Sequence, residues 1–409
     1  VLVVGAGIIG LAVARELLQR GASVTVLDKG SVGHGCSFGN AGWLTPCFAM
    51  PLPQPGLWRK AIKWMFDPKG PLYIRPLWNG TFLKWLWRFV RSMNERHFAR
   101  ATEALTALSK RSLDAYQSLS LRYAFGFRRD GLLLTYETSA GRVDALRELE
   151  WAQRFGVPGE AVDAERAHSE EPTLEGLLGA VLFPQEAHVE PLAAVEALSA
   201  EVGRLGGAIR TDAEVYDFEV SGGVVTHVLT TGGSIPVNTL VLAAGAWSRH
   251  LGRRAGLQVP ILGGKGYSVI VDRPGFALRR PTMLLERKIA LTPRENGSLR
   301  VAGTLELVMD DLALNGQRVE ALWAGATSRL PLLKDKAFQQ VWRGLRPCTP
   351  DGVPIIGPAP EHRNVFIVAG HQMLGLQTAL GSAEVAANAV EGIKTDWVDD
   401  ALFRAQRFQ

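Results

Sequence analysis

Cysteine is scarce. Cys36, Cys47 and Cys348 are the three in 409 residues; they form no CxxC pair and leave an odd one out, so neither a disulfide framework nor a zinc site is indicated. No metal is expected, and a reducing compartment fits best. Long apolar runs are missing as well. No stretch approaches the roughly 20 residues that a spanning helix needs, and no signal-peptide pattern precedes the first strand. The expectation is a cytoplasmic protein that does not cross a membrane. Low-complexity tracts are absent, and 47% hydrophobic with 21% charged residues is the balance of a folded chain. At this length one core stops growing, so two domains interleaved in sequence are the natural arrangement. A formal charge of +5 and a pI near 9.2 arise from basic residues concentrated in one segment. With no nucleic-acid motif beside them, nucleic acid is not an expected partner.

What the sequence does contain begins at its first residues. Val1-Leu-Val-Val4 is a short apolar run of strand character, followed by Gly5-Ala-Gly7-Ile8-Ile9-Gly10 and then a segment of helical apolar spacing. In such a strand, glycine turn and helix, Gly5 permits the tight turn and Gly7 lets the backbone approach a pyrophosphate. Gly10 lets helix and strand pack closely, and the helix N-terminus faces the phosphates. A second strand, Ser23-Val-Thr-Val-Leu27, ends on Asp28, beside Lys29. An acid there accepts hydrogen bonds from the adenosine ribose hydroxyls and disfavours a 2′-phosphate. A dinucleotide site follows, with FAD and NAD both open at this point.

Further on, Thr239-Leu-Val-Leu-Ala-Ala-Gly-Ala-Trp-Ser248 is an apolar strand running into small residues. It resembles the second dinucleotide-contacting segment of flavoproteins of the glutathione-reductase type, which places Ala243, Ala244, Gly245 and Trp247 at the cofactor and favours FAD. Three more stretches resemble signature segments of the D-amino-acid oxidase/glycine oxidase superfamily. These are Ser37-Phe-Gly-Asn-Ala-Gly42, Gly264-Lys-Gly-Tyr-Ser268 and Trp342-Arg-Gly-Leu-Arg-Pro-Cys-Thr-Pro-Asp-Gly-Val-Pro-Ile-Ile-Gly357. The resemblance spans the chain, and bacterial D-amino-acid dehydrogenases are its nearest likeness.

The resemblance implies an α/β protein: an FAD-binding Rossmann-like domain of glutathione-reductase type with an inserted antiparallel-sheet substrate domain. The FAD-binding portion is expected over 1–50, 188–255 and 340–409, and the substrate portion over 51–187 and 256–339. Ser37, Asn40, Ala41, Gly42, Val215, Gly344 and Arg346 are implied as further cofactor contacts. Arg346 matches the arginine that holds the substrate carboxylate, a task suited to a planar guanidinium because it offers two parallel charge-assisted hydrogen bonds. Tyr267 is a candidate second contact to substrate, with a packing role as the alternative. In Val365-Phe-Ile-Val-Ala-Gly-His-Gln-Met-Leu-Gly-Leu-Gln-Thr378, the resemblance sets Gly375, Leu376, Gln377 and Thr378 at a helix start beside the flavin pyrimidine ring. The positive end of the helix would favour charge developing there on reduction. His371 invites a role as base, although a structural or electrostatic role suits a lone histidine in an apolar run better. Gln372 and Met373 depart from the family, whose members often carry glycine after the histidine. The Cys-x-Tyr-Thr pattern that links flavin covalently in monomeric sarcosine oxidases is missing, so noncovalent FAD is implied.

The implied activity is oxidative deamination of a small amino acid by hydride transfer from Cα to flavin N5, in the manner of a D-amino-acid dehydrogenase. D-proline or hydroxyproline dehydrogenase, an oxygen-using glycine or sarcosine oxidase, and a noncatalytic FAD subunit of a heteromeric dehydrogenase are the alternatives. Between positions 57 and 100, Trp58, Trp64, Trp78, Trp85 and Trp87 are interleaved with ten Lys or Arg and only Asp67 and Glu95 as acids. Aromatic bodies beside basic heads suit the interface of an anionic bilayer, which would bring the protein to a quinone or another membrane-borne carrier. An insertion packed on the substrate domain with solvated cations is the alternative, since Pro68, Pro71 and Pro76 break any long helix.

Overall fold

The strand Leu2–Val4 is buried along its whole length and pairs in parallel with Thr25–Leu27 on one side and Leu240–Leu242 on the other. Both faces of such a strand are covered, which is why these segments read as unbroken apolar runs. In the computed structural model, which describes residues 1–56, 72–74 and 79–409, they form the middle of a six-stranded sheet. Its order is Ile355–Pro358, Val365–Ala369, Leu240–Leu242, Leu2–Val4, Thr25–Leu27 and Ala208–Arg210, parallel except for the first, antiparallel edge strand. Trp58, Trp64 and Trp78 lie outside the described residues.

Helices Ile8–Gln19, Pro191–Arg204 and Gly375–Glu391 pack together against this sheet. The 26-residue helix Glu95–Ser120 lies on Gly375–Glu391, with the Ser112 hydroxyl accepting from the Gly381 N–H at 2.8 Å. A Cβ on Gly381 would stand 2.6 Å from the Leu108 carbonyl oxygen, so this close helix crossing requires glycine. A small antiparallel meander, Val215–Ser221, Val224–Thr230 and Gly233–Pro236, covers a second apolar core with the inner strands.

The second large sheet is mixed. Gln340–Cys348, Leu262–Val271, Leu299–Val308, Ile289–Pro293 and Thr282–Leu284 run antiparallel in succession. Leu132–Tyr136 joins Thr282–Leu284 in parallel, and Gly179–Phe183 and Glu160–Asp163 close the order. The chain is thus an α/β protein with a nucleotide-type sheet and an inserted, mainly antiparallel one. Two segments cross the expected division. Gln340–Cys348, expected in the nucleotide portion from 340 onward, is a strand of the second sheet, because its nine residues ladder onto Leu262–Val271. Helix Glu95–Ser120, expected in the substrate portion, packs instead on the helical layer of the nucleotide sheet, since its apolar stripe fits Gly375–Glu391.

Candidate functional site

Gly5 has φ +115°, and a Cβ on it would stand 2.5 Å from the carbonyl oxygen of Ala243. Only glycine allows the first strand to turn this close to Leu240–Leu242. A Cβ on Gly10 would collide with the Gly5 carbonyl, so Gly10 works behind the turn, outside the cavity, by letting the helix lie against it. Asp28 fastens the turn from the neighbouring strand: one carboxylate oxygen accepts from Ala6 N–H at 2.7 Å and the other from Gly30 N–H at 3.0 Å. Ser37 Oγ accepts from Ile8 N–H at 3.1 Å at the helix start.

These elements wall a cavity of about 960 Å³. Gly5, Gly7, Ile8, Ile9, Asp28, Lys29, Ser37 and Asn40 line one side, all expected from the sequence. Val215, Ala243, Ala244, Gly245 and Trp247 line another, and Gly375 and Leu376 close the far end with His371. The Lys29 ammonium stands 4.4 Å from the centre of the Trp247 ring. Ala41 and Gly42 lie just behind the lining. The Ala41 carbonyl accepts from Thr292 Oγ1 at 3.0 Å, and Gly42 N–H donates to Asn40 Oδ1 at 2.9 Å. Arg300 donates to the Asn40 carbonyl, tying the loop to the second sheet. Gln377 and Thr378 turn into the protein instead of the cavity: Gln377 exchanges hydrogen bonds with Thr45 and Ser109, and Thr378 Oγ1 donates to Leu374 O.

The lining also contains residues that the sequence reading did not single out. Glu214 and Tyr216 flank Val215 in the meander, and His250, Arg253 and Arg254 follow Trp247 on a short helix. Helical spacing after the small-residue turn was the one signal for the latter group. Every charged lining residue (Asp28, Lys29, Glu214, Arg253 and Arg254), together with His250, belongs to the elements around the second strand and the meander. The opposite end, around Cys36, Ser37, Asn40, Pro347, His371 and Gln372, carries no charged side chain. Burial pulls His371 down to about 3, so its imidazole is neutral, with Nε2 3.2 Å from Ser382 Oγ.

Arg346 stands next to that neutral end, on the strand that leads into Pro347, without itself lining the cavity. Its Nη1 donates to Thr304 O at 2.9 Å, and its guanidinium occupies the space that a Cβ on Gly266 would need. No carboxylate pairs with it among the described residues. Burial lowers its pKa, and its neighbours Cys36 and Cys348 are pushed up by burial to about 11 and about 12, leaving both thiols neutral. Trp342 lies against both Gly39 and Gly344, two positions where a Cβ would overlap the indole. Gly344 thus admits the ring.

Tyr267 is elsewhere. Alternation along Leu262–Val271 sets Gly266 under Arg346 and sends Tyr267 to the opposite face of the sheet, fully buried in another core. There its hydroxyl accepts from Asn315 N–H at 3.2 Å and lies 3.5 Å from Glu306, the carboxylate that also meets Lys265 at 3.3 Å and Arg318 at 3.1 Å. The structure brings His371 and Arg346 to one end of the cavity and leaves Tyr267 out.

Known proteins resemble the chain over most or all of its length. A family profile described as "DAO: FAD dependent oxidoreductase" matches residues 1–389. The chain is 30% identical over 421 residues to a D-amino acid dehydrogenase of Rhodopseudomonas palustris (strain HaA2), covering 100% of this chain and 98% of that protein. Among solved structures, the glycine oxidase of Geobacillus kaustophilus superposes with a TM-score of 0.78 at 25% identity, over 98% of this chain and 97% of that one. L-Proline dehydrogenase from P. horikoshii does so with a TM-score of 0.77 at 23% identity, over 100% and 96%.

Proposed function

Because the chain belongs to the DAO family of FAD-dependent oxidoreductases and is a flavoenzyme acting on amino acids, we propose that its substrate is a small D-amino acid with an uncharged side chain. The observation that carries this reading is the Arg346 guanidinium, which meets no carboxylate among the described residues, beside a cavity end whose described lining residues carry no charge. A free amino acid bound there can present its carboxylate to that guanidinium. A charged side chain would be buried without a partner, at a cost of several kcal/mol. The D-configuration and the dehydrogenase assignment are supported by the dehydrogenase relative.

The residues present fit FAD. The Gly5–Gly7 turn leaves backbone open to the cavity where a pyrophosphate would lie, Asp28 and Lys29 would hold the ribose end, and the uncapped helix start at Gly375 would face the pyrimidine ring. Bound there, FAD supplies the acceptor for the Cα hydride, giving an imine that water hydrolyses to a keto acid and ammonia. The protein's part is orientation. Arg346, held by Thr304 O and packed over Gly266, would fix the carboxylate and thereby aim Cα. Neutral His371 would keep the site free of a competing cation. Noncovalent attachment is supported by Gly344, which offers no thiol where sarcosine oxidases carry one.

For the electron acceptor, we favour a quinone or another carrier at a membrane surface. Helix Gly80–Arg91 exposes Leu83 at 47%, Trp87 at 56% and Val90 at 52% on one face, with Lys84 and Arg91 beside them. The helix has an inner apolar face too, Phe82, Trp85 and Phe89, so among the described residues the outer one is not needed for packing. No helix among the described residues is long and apolar enough to cross a membrane. The test of the substrate reading is anaerobic: the purified yellow protein is mixed with single amino acids and the flavin absorbance followed. Bleaching by small neutral D-amino acids, and not by their charged or L counterparts, is the expected result. Bleaching by acidic or basic D-amino acids alone would overturn it.

A further inference from the structure

Strand Leu299–Val308 carries one irregularity. It pairs Gly303 with Tyr267 and Glu306 with Lys265, so Thr304 and Leu305 together stand opposite the single Gly266. This is a β-bulge, and Thr304 has no register partner in Leu262–Val271 or in Ile289–Pro293. Thr304 has φ +58°, a left-handed backbone that a β-branched residue rarely adopts and that one common type of bulge reserves for glycine. Its side chain does not offset that cost, because the hydroxyl is buried without a hydrogen-bonding partner among the described residues. What the bulge supplies is a backbone acceptor: the Thr304 carbonyl accepts from Arg346 Nη1 at 2.9 Å. Gly266, across from it, leaves open the space in which the guanidinium lies. One irregularity thus brings together both halves of the arginine's seat, the acceptor and the gap.

We propose that Thr304 is a positioning residue for the substrate carboxylate: its left-handed bulge fixes where the Arg346 guanidinium sits. This rests on the reading that Arg346 binds that carboxylate. An arginine on its flexible stem has many rotamers, and substrate binding would have to freeze them. With Nη1 held by Thr304 and the guanidinium packed over Gly266, that ordering is complete before substrate arrives. The charge-assisted hydrogen bonds to a carboxylate then form at little further entropic cost. The strain at Thr304 belongs to this preorganisation, since an unfavourable backbone persists where the surrounding structure over-determines it.

Propionate is the probe, because it has the carboxylate and carbon chain of alanine and no amine to oxidise; its Kd is read by titration calorimetry on the FAD-loaded protein. Gly266→Ala puts a methyl group where the guanidinium lies, so the charge is kept but displaced. Thr304→Pro holds φ near roughly −65° and forbids the left-handed bulge. Each is expected to raise the propionate Kd about tenfold, and the KM for D-alanine with it, while FAD stays bound. Thr304→Gly adopts the left-handed backbone without strain, so its Kd should rise less than about threefold. A Gly266→Ala variant that binds propionate as tightly as the parent would overturn the proposal. So would a Thr304→Gly variant as impaired as Thr304→Pro, because the side chain and not the backbone would then hold the arginine. Should Thr304→Pro fail to hold FAD, Gly266→Ala decides alone. Arg346→Leu tells the two readings apart. If it binds propionate like the parent, the carboxylate reading itself falls; if it loses propionate while Gly266→Ala does not, only the seat is wrong.

Discussion

At the scale of single residues, Arg346 is the most exposed to test. It is a half-buried guanidinium with one backbone acceptor and, among the described residues, no acid partner. Arg346→Lys keeps the charge and loses the fork, so the substrate should bind more weakly and Cα should be misaimed. A lost hydrogen bond to a charged group is worth roughly 1.5–3 kcal/mol, so kcat/KM should fall by about one to two powers of ten, and further in Arg346→Leu. The flavin spectrum of either variant should barely move. Steady-state kinetics beside a spectrum decides it: a Leu variant reduced as fast and at the same concentrations as the parent would place the carboxylate elsewhere. Much of this site was legible in the sequence, because glycines required by sterics and an acid at a strand end leave a fixed spacing. Tyr267 was not. The run Gly264-Lys-Gly-Tyr-Ser268 fixes the alternation but not which face meets the flavin side; that is decided by pairing with Gln340–Cys348, some eighty residues away. The small residues at 264 and 266 were the available clue, since an arginine has to lie over something.

At the scale of elements, the best-read ones are those whose two ends both carry a signal. Ile8–Gln19 begins at a glycine turn, and Gly375–Glu391 follows a buried strand and ends on Gly392 at φ +71°. Gln340–Cys348 was harder, because the turn residues within it, Gly344 and Pro347, mask a strand in a sheet whose partners are remote. Helix Gly80–Arg91 carries its own prediction. Asn79 caps it by accepting from Phe82 N–H, and Arg88 turns back to the Phe408 carbonyl, which leaves Lys84 and Arg91 outward with Leu83, Trp87 and Val90. The Arg91 guanidinium stands 4.7 Å over the Trp87 ring. Each cation near an anionic surface is worth about 1 kcal/mol, and the effect fades with salt. The protein should therefore sediment with vesicles containing phosphatidylglycerol and much less with pure phosphatidylcholine. Replacing Leu83, Trp87 and Val90 together by Ser should weaken that binding at least tenfold while leaving the flavin spectrum unchanged. Equal binding to both vesicle types, or none, would remove the membrane reading.

At the scale of the whole molecule, buried ionisable groups spread over several elements set how stability depends on pH. His188 and His371 are held neutral by burial, at about 4 and about 3. Their folded values lie below the unfolded one, so the stability they contribute is complete above about 6.5 and is lost as pH falls through the folded values. Glu201, bound by Arg204 and Tyr123 and lowered to about 2, acts in the same direction below 4.5. Glu186 opposes them. It is buried between the Cys47 loop and the second sheet, accepts from Cys47 N–H at 3.1 Å, leaves its other oxygen unpaired, and is pushed up by burial to about 8. The folded protein therefore holds a proton there that the unfolded chain gives up above 4.5, and stability falls as pH rises toward 8. Between about 4.5 and 6.5 the two histidines outweigh the one glutamate, and above 6.5 the glutamate is the group that lowers stability. The buried thiols add nothing until the alkaline range, where unfolded cysteine titrates. Thermal unfolding of the FAD-saturated protein should thus show its highest Tm near pH 6.5, with a decline toward pH 8 worth at most about 1.4 kcal/mol for each pH unit. Glu186→Gln removes the ionisable group and keeps the hydrogen-bonding oxygen, so its Tm should rise more steeply than the parent's between about 4.5 and 6.5 and should no longer decline from pH 6.5 to 8. If the variant loses Tm across that range as steeply as the parent, the alkaline limb comes from another group and Glu186 is not protonated in the fold.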